Sequence, residues 1–228
     1  MKRAPVKPRG LREKLKTARG RSKSSQLWLE RQINDPYVKA ARAEGYRSRA
    51  AYKLIEMNEK HRFLKRGHTV VDLGAAPGGW TQVAVNLVGE SGKVVGADIQ
   101  DMDAIPGATI MKLDFMDNAA PDAIKAALGG PANAVLSDMA SPATGHRETD
   151  HIRIMALCET ALEFALEVLA PGGTFLAKVL RGGTEKQLLD TLKKRFTKVV
   201  HVKPPSSRSD SAEMYVLALG FKREDGKR

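Results

Sequence analysis

Residues Val70–Trp80 read VVDLGAAPGGW, and this stretch decides the fold. The apolar run from Thr69 to Leu73 has the length of a buried parallel strand. Three glycines then turn the chain into a helical pattern that continues to Val88. A strand, a glycine turn and a helix in this order are typical of a nucleotide-cofactor site at the carboxyl edge of an open α/β sheet.

The spacing of the glycines and the residues at the next two strand ends indicate which class of cofactor this site binds. Gly74–Gly79 reads GxxxGG, which is neither the GxGxxG dinucleotide fingerprint nor a phosphate loop. A second apolar run ends on Asp98, 20 residues beyond Gly78, where a carboxylate can accept hydrogen bonds from both ribose hydroxyls. A third run ends on Asp114, where an adenine ring would lie. With no phosphate-binding sequence nearby, S-adenosylmethionine fits this adenosine site better than NAD.

The alternation of strands and helices continues to the end of the chain. Further strands are predicted at residues 132–137, 174–179, 198–202 and 213–221, and the last follows its predecessor with no crossover helix. Asp150 is the expected cap of a long helix at residues 151–169, and Ser48 the expected cap of the third N-terminal helix. We therefore expect a Rossmann-like α/β fold: a seven-stranded methyltransferase sheet with an antiparallel last strand and helices on both faces.

The net charge of +12 is unevenly distributed. Residues 1–24 hold ten Lys or Arg and one acid, with prolines and glycines, and predict a disordered basic arm. Residues 25–66 form a basic helical segment packed on the core, residues 67–222 a methyltransferase domain whose body is mildly acidic, and residues 223–228 a tail. This distribution indicates a catalytic core that basic attachments carry to a polyanion.

Several classes of protein do not fit the sequence. No apolar run approaches the about 18 residues of a membrane span, and the arm lacks the apolar region of a secretory signal. A mitochondrial transit peptide fits less well than a cytoplasmic location, because prolines and glycines interrupt the arm. The single Cys158 is expected to be buried and inert, as in a reducing cytosol. His146 and His151 are five residues apart, so we expect no metal site.

Lys178 is the most informative residue for the chemistry. It interrupts the apolar run Phe175–Leu180, and a lysine in a central strand requires a carboxylate partner. Asp138, at the end of the fourth strand, and Glu213, at the start of the last, are the candidates. The polar loop at residues 203–211 leads directly to Glu213 and is a candidate contact for substrate. On the third helix Lys53 shares a face with a second cation four residues earlier.

With these residues in view, the sequence resembles the FtsJ/RlmE family of ribose 2′-O-methyltransferases that act on ribosomal RNA, from about Ser25 to Lys222. The resemblance is carried by SRAAYKL (Ser48–Leu54), VDLGAAPGGW (Val71–Trp80), the Asp98 strand end, LDF (Leu113–Phe115), SDMA (Ser137–Ala140), AKV (Ala177–Val179) and SSRSDSAEMY (Ser206–Tyr215). It implies a catalytic tetrad of Lys53, Asp138, Lys178 and Glu213. It also implies S-adenosylmethionine contacts at Gly78, Trp80, Asp98, Asp114 and Asp138.

The resemblance implies S-adenosylmethionine-dependent methylation during ribosome biogenesis. The family's usual bacterial target is a uridine in the A-loop of large-subunit ribosomal RNA, on the assembled subunit. Asp138 and Glu213 would orient Lys178, which acts as a base or as an electrostatic stabiliser, and Lys53 would hold the ribose or phosphate. We expect a monomer. The alternatives are a transfer-RNA ribose methyltransferase, a non-catalytic RNA-binding assembly factor and, least favoured, an NAD-dependent dehydrogenase. The long arm departs from the compact bacterial pattern and bears on substrate docking.

Overall fold

The computed structural model describes residues 13–15, 20, 22–142, 144–181 and 186–223. Within these residues the helices are α1 (Lys23–Ile33), α2 (Pro36–Ala43), α3 (Ala50–His61), α4 (Gly79–Val88), α5 (Ala120–Leu128), α6 (Arg147–Val168) and α7 (Lys186–Arg195). The strands are β1 (Thr69–Leu73), β2 (Lys93–Asp98), β3 (Ala108–Lys112), β4 (Ala132–Ser137), β5 (Leu169–Leu180), β6 (Phe196–Val202) and β7 (Glu213–Phe221).

The strands form one sheet in the order β3-β2-β1-β4-β5-β7-β6. The first five strands of this order pair in parallel, whereas β7 is antiparallel to both of its neighbours, β5 and β6. The predicted fold class is thereby confirmed, including the antiparallel last strand. Because the parallel strands share one direction, the ends of β1, β2, β4 and β5 meet along one edge.

Side chains alternate between the two faces of the sheet, and helices cover both. Val71 and Leu73 of β1 belong to the core under α5, α6 and α7, whereas Val70 belongs to the core under α3 and α4. The same alternation along β5 places Ala177 and Val179 in the first core and Leu176 in the second. Residue 178 therefore shares the face of the sheet that α3 and α4 cover.

Two helix starts differ from their predictions. α3 begins at Ala50 after Arg49, which makes no side-chain capping bond, so Ser48 is not the cap. α6 begins at Arg147, four residues before the predicted start, and Asp150 lies inside its first turn. The carboxylate of Asp150 accepts instead from the backbone N–H and the hydroxyl of Thr144, both at 2.7 Å. In both cases a residue type that caps helices uses its side chain elsewhere or not at all.

Part of the predicted basic arm, residues 1–12, 16–19 and 21, lies outside the described residues. Ser22 caps α1, so this helix begins slightly before the predicted boundary at residue 25. Glu13 contacts the helical segment through Asn34 and through an ion pair with Lys39 at 2.7 Å. The domain boundaries and the disorder of the arm stay predictions. Among the helices that the structure describes, none has the length and apolarity needed to cross a membrane.

Candidate active site

Lys178 and Asp138 form the centre of the site at the carboxyl edge of the sheet. The Nζ atom of Lys178 lies 2.8 Å from the Oδ1 atom of Asp138 and 2.8 Å from its backbone oxygen. Their side chains are only 11% and 16% exposed. The carboxylate that an apolar strand lysine requires is therefore supplied by Asp138, one of the two predicted candidates.

Tyr215 connects this pair to the N-terminal helices. It is fully buried and lies directly opposite Lys178 in the antiparallel register of β5 and β7. Its hydroxyl donates to Oδ1 of Asp138 at 2.8 Å and accepts from Nζ of Lys53 at 3.1 Å. Tyr215 was not among the predicted site residues. The available signal was the predicted antiparallel last strand, but an antiparallel pairing does not by itself say which residue of that strand lies opposite Lys178.

Glu213 pairs with Lys53 rather than with Lys178. The Nζ atom of Lys53, on α3, lies 2.7 Å from Oε1 of Glu213. The expectation that Glu213 orients Lys178 directly is therefore wrong, because α3 brings a closer cation to this carboxylate. The four predicted catalytic residues are nevertheless joined through Tyr215 in one series of contacts, which runs from Lys178 to Asp138, Tyr215, Lys53 and Glu213.

The electrostatics of the chain favour a charged Asp138 and a neutral Tyr215. Burial alone would raise the pKa of Asp138, but the positive charges of Lys178 and Lys53 outweigh it and hold that pKa below its ordinary value. Burial, together with the carboxylates of Asp138 and Glu213, raises the pKa of Tyr215 well above its usual range. The tyrosine hydroxyl consequently stays protonated and donates a hydrogen bond to the aspartate.

The loop at residues 203–211 is fixed to the N-terminal helices. The Arg49 guanidinium donates to the carboxylate of Asp35 and to the backbone oxygen of Ser206. The carboxylate of Glu56 accepts from the N–H of Ser206 at 2.8 Å and from its hydroxyl at 2.6 Å. Arg49, which shares a helical face with Lys53, is thus a part-buried structural link. It holds the start of the loop that leads into β7.

Gly78 and Trp80, the two expected cofactor contacts at the glycine turn, can offer only main-chain atoms to a ligand. Gly78 has φ +111°, and a Cβ atom there would lie 2.6 Å from the side chain of Ile105, so glycine is required. Trp80 is 3% exposed, and its Nε1–H donates to the backbone oxygen of Ala50 at 2.8 Å. The indole of Trp80 is therefore part of the packing between α3 and α4. Only its main chain can reach a ligand.

Asp98 and Asp114 lie just where β2 and β3 end, on the same edge as the glycine turn. The two carboxylate oxygens of Asp98 accept from the N–H groups of Ala76, at 2.9 Å, and Gln100, at 2.8 Å. Asp114 is exposed and accepts from the N–H of Met116 at 2.9 Å. Backbone donors thus fix the orientation of both carboxylates, while lone pairs remain for a ligand.

Asp72 is a buried acid at this edge that was not among the predicted site residues. One carboxylate oxygen accepts from the hydroxyl of Thr81 at 2.7 Å, and the other has no hydrogen-bond partner among the described residues. Burial is the main cause that raises its pKa to about 7; the charges of Asp138 and Asp98 add to this, and the Thr81 hydroxyl opposes it. Asp72 thus keeps one unused acceptor in the interior of the protein.

A nucleotide-type cofactor edge and a buried lysine–aspartate pair occur together on one sheet whose last strand is antiparallel. This combination defines the class of Rossmann-like methyltransferases. Within the described residues, no three His, Cys, Asp or Glu side chains cluster as metal ligands would. The chain belongs to the family of FtsJ-like methyltransferases, whose model matches residues 46–221. The resemblance stated from the sequence is thereby confirmed.

Relatives and solved structures agree with this family. The chain is 62% identical over 224 residues to ribosomal RNA large subunit methyltransferase E of Parvibaculum lavamentivorans, covering 94% of this chain and 88% of the relative. It is also 62% identical to the protein of that name from Paramagnetospirillum magneticum, covering 94% and 90%. A crystal structure from Plasmodium falciparum, described as a ribosomal RNA methyltransferase, matches 77% of this chain and 98% of its own at 32% identity, with a TM-score of 0.67.

Proposed function

We propose that this protein transfers the methyl group of S-adenosylmethionine to the 2′-hydroxyl of a ribose in large-subunit ribosomal RNA. The observation that carries the proposal is the buried Lys178–Asp138 pair beside the cofactor edge. The names of its 62%-identical relatives support the same substrate. The target is a uridine in the A-loop of the assembled subunit, and the enzyme works as a monomer in the cytoplasm.

The residues of the glycine turn and the strand ends suit S-adenosylmethionine. The carboxylate of Asp98 would accept from the ribose diol, and Asp114 would accept from the adenine amino group. The N-cap of α4 is Gly78, which has no side chain to bond the first N–H groups, so those of Gly79 and Trp80 would be available for the carboxylate of the methionine part. Because Gly78 has no side chain, the turn before α4 can pack closely against Ile105. These N–H and carboxylate groups would bind the carboxylate, ribose and adenine of S-adenosylmethionine, which has no phosphate group.

S-adenosylmethionine, when bound, supplies a methyl group on a positively charged sulfur. The task of the protein is to hold the ribose oxygen in line with that methyl group and to stabilise the negative charge that develops on this oxygen as its proton passes to solvent water. An ammonium group has three N–H donors, and Lys178 gives two of them to Asp138. The third donor is available for the 2′-oxygen, so Lys178 acts as an orienting cation.

Lys53 and Tyr215 complete the arrangement. Lys53 gives two donors to Glu213 and Tyr215, which leaves a third for the ribose or its phosphate. Tyr215 fixes the carboxylate of Asp138 and thereby the position of Lys178. Asp138 balances the charge of Lys178, because a buried ammonium without a carboxylate would be expensive. Each charged group is thus held by two contacts before substrate arrives.

The test is to give the purified protein labelled S-adenosylmethionine with unmethylated large subunits, free ribosomal RNA and transfer RNA, and to map 2′-O-methyl groups. We expect one methyl group on an A-loop uridine of the large subunit, and a much slower appearance of this methyl group with Lys178→Met. Methylation of transfer RNA, and not of the large subunit, would show that the substrate is transfer RNA. Binding of large subunits with no transfer to any RNA would favour a non-catalytic assembly factor instead.

A further inference from the structure

A second cleft lies next to the catalytic residues and apart from the cofactor edge. Its volume is about 850 Å³, and it is lined by the first turns of α6, the end of β5 and the residues just before β7. Leu180, Ser141 and Ala212 line it, and these follow Lys178, follow Asp138 and precede Glu213 by one to three residues. Gly78, Asp98 and Asp114 are not among its described lining.

The lining combines an apolar wall with planar and polar groups of both signs. Ile152 is 63% exposed although it is a large apolar side chain. Arg147, Arg181 and His151 supply planar groups. The acids are Glu148, Asp150, which is held by Thr144, and Asp210, which lies 4.0 Å from Arg31. The charges of the three acids offset those of the two arginines, so the cleft lacks the positive charge that a phosphate site would have, whereas a neutral base can use donors and acceptors of both kinds.

Two general properties of nucleotide recognition match this cleft. Single-stranded RNA is recognised through unstacked bases that lie against aromatic or histidine rings and guanidinium planes. A volume of 850 Å³ also lies within the usual range of small-molecule sites, about 300–1,000 Å³. Leu180 is two residues beyond Lys178, roughly 7 Å along the strand. A ribose held at Lys178 would therefore bring its attached base into the cleft.

We propose that this cleft receives the base of the target nucleotide, unstacked from the RNA, with Ile152 against its face. The inference rests on the proposed function, because it assumes that the ribose of an RNA nucleotide lies at Lys178. It adds a specificity-determining residue that touches the base and leaves the chemistry to the lysine–aspartate pair.

The first test compares Ile152→Ser with Leu27→Ser. Leu27 is a matched control, since it is 58% exposed, lies on α1 and is not among the described residues that line the cleft. Ile152→Ser should lower kcat/KM for large subunits about tenfold, because serine removes the apolar surface that would cover the face of the base. Its affinity for S-adenosylmethionine, its thermal midpoint and the salt dependence of its RNA binding should equal those of the wild type. Leu27→Ser should match the wild type throughout. Unchanged kcat/KM in Ile152→Ser would overturn the proposal.

The second test removes the base itself. Large subunits reconstituted with an abasic target nucleotide keep the ribose and its 2′-hydroxyl. The wild type should lose about as much kcat/KM on these subunits as Ile152→Ser loses on intact ones, and the variant on abasic subunits should lose little more, because both changes remove one contact. Fully additive losses would overturn the proposal. If the wild type transfers nothing to intact subunits, the proposed function itself fails, and this inference with it.

Discussion

Replacing Lys178 with methionine tests the centre of the site, because methionine keeps most of the side-chain length and removes the cation. The change takes away the Nζ donor, which lies 2.8 Å from Oδ1 of Asp138 and 2.8 Å from the backbone oxygen of the same residue. Methyl transfer should fall about 100- to 1,000-fold, the usual cost of losing one preorganised donor at a developing charge. The affinity for S-adenosylmethionine should change little, since Lys178 acts on the hydroxyl.

The same variant should also be less stable by an amount that the burial sets. Breaking a buried pair by removing one partner costs about 3–5 kcal/mol. Because Tyr215 and Lys53 still face Asp138, we expect the lower end of that range. A loss of about 3 kcal/mol would lower the thermal midpoint by roughly 6–12 °C in a domain of this size. The matched control, Lys178→Met with Asp138→Asn, removes the unpaired charge and should recover much of the midpoint without recovering activity.

The pH dependence of stability separates charge from packing. In the wild type the pKa of Asp138 is lowered, so its charge stabilises the fold above its unfolded pKa of about 3.9, and this contribution is lost as the pH falls through the folded value. Without Lys178, burial should raise that pKa, and the deficit of the variant should shrink as the pH falls. Thermal midpoints measured between pH 4 and pH 8 check this. Near-normal turnover together with an unchanged midpoint would refute the assigned role of Lys178.

Four further outcomes are expected. Asp98→Asn should weaken S-adenosylmethionine binding by about 1–3 kcal/mol in calorimetry, through the loss of charge-assisted hydrogen bonds, and an unchanged affinity in a folded variant would contradict the ribose assignment. Tyr215→Phe should keep the ring packing but lower kcat about 10- to 100-fold in single-turnover assays, because Asp138 and Lys53 lose a shared contact. Asp72→Asn should gain stability relative to the wild type as the pH rises from about 4 to 7 and hold that gain above it, because the raised pKa makes ionisation costly in the fold; parallel stability curves would argue against it. Deleting residues 1–12, which hold five Lys or Arg and no acid, should flatten the salt dependence of RNA binding and leave the modified nucleotide unchanged, and a shifted nucleotide would mean that the arm selects the target.

The sequence predicted the elements that depend on local pattern. Apolar runs bounded by glycines located the strands, and Lys178 was recognised because a charged residue in such a run needs a partner. The pairing of Glu213 with Lys53 could not be predicted, because it depends on how α3 packs across the sheet. Tyr215 was missed for a related reason: its place opposite Lys178 follows from the β5–β7 register, which no local signal in either strand fixes.

The position of β7 in the sheet has a consequence for how the enzyme is made. Of the strands that the structure describes, β7 comes last in the chain, yet it lies between β5 and β6 and carries Tyr215 and Glu213 into contact with Lys53, which precedes β1. A nascent chain that still lacks β7 can hold the glycine turn and the Lys178–Asp138 pair, but it has no bridge from that pair to α3. The site is therefore completed only after β7 has been synthesised, so that a nascent chain without this strand cannot engage RNA with an assembled tetrad.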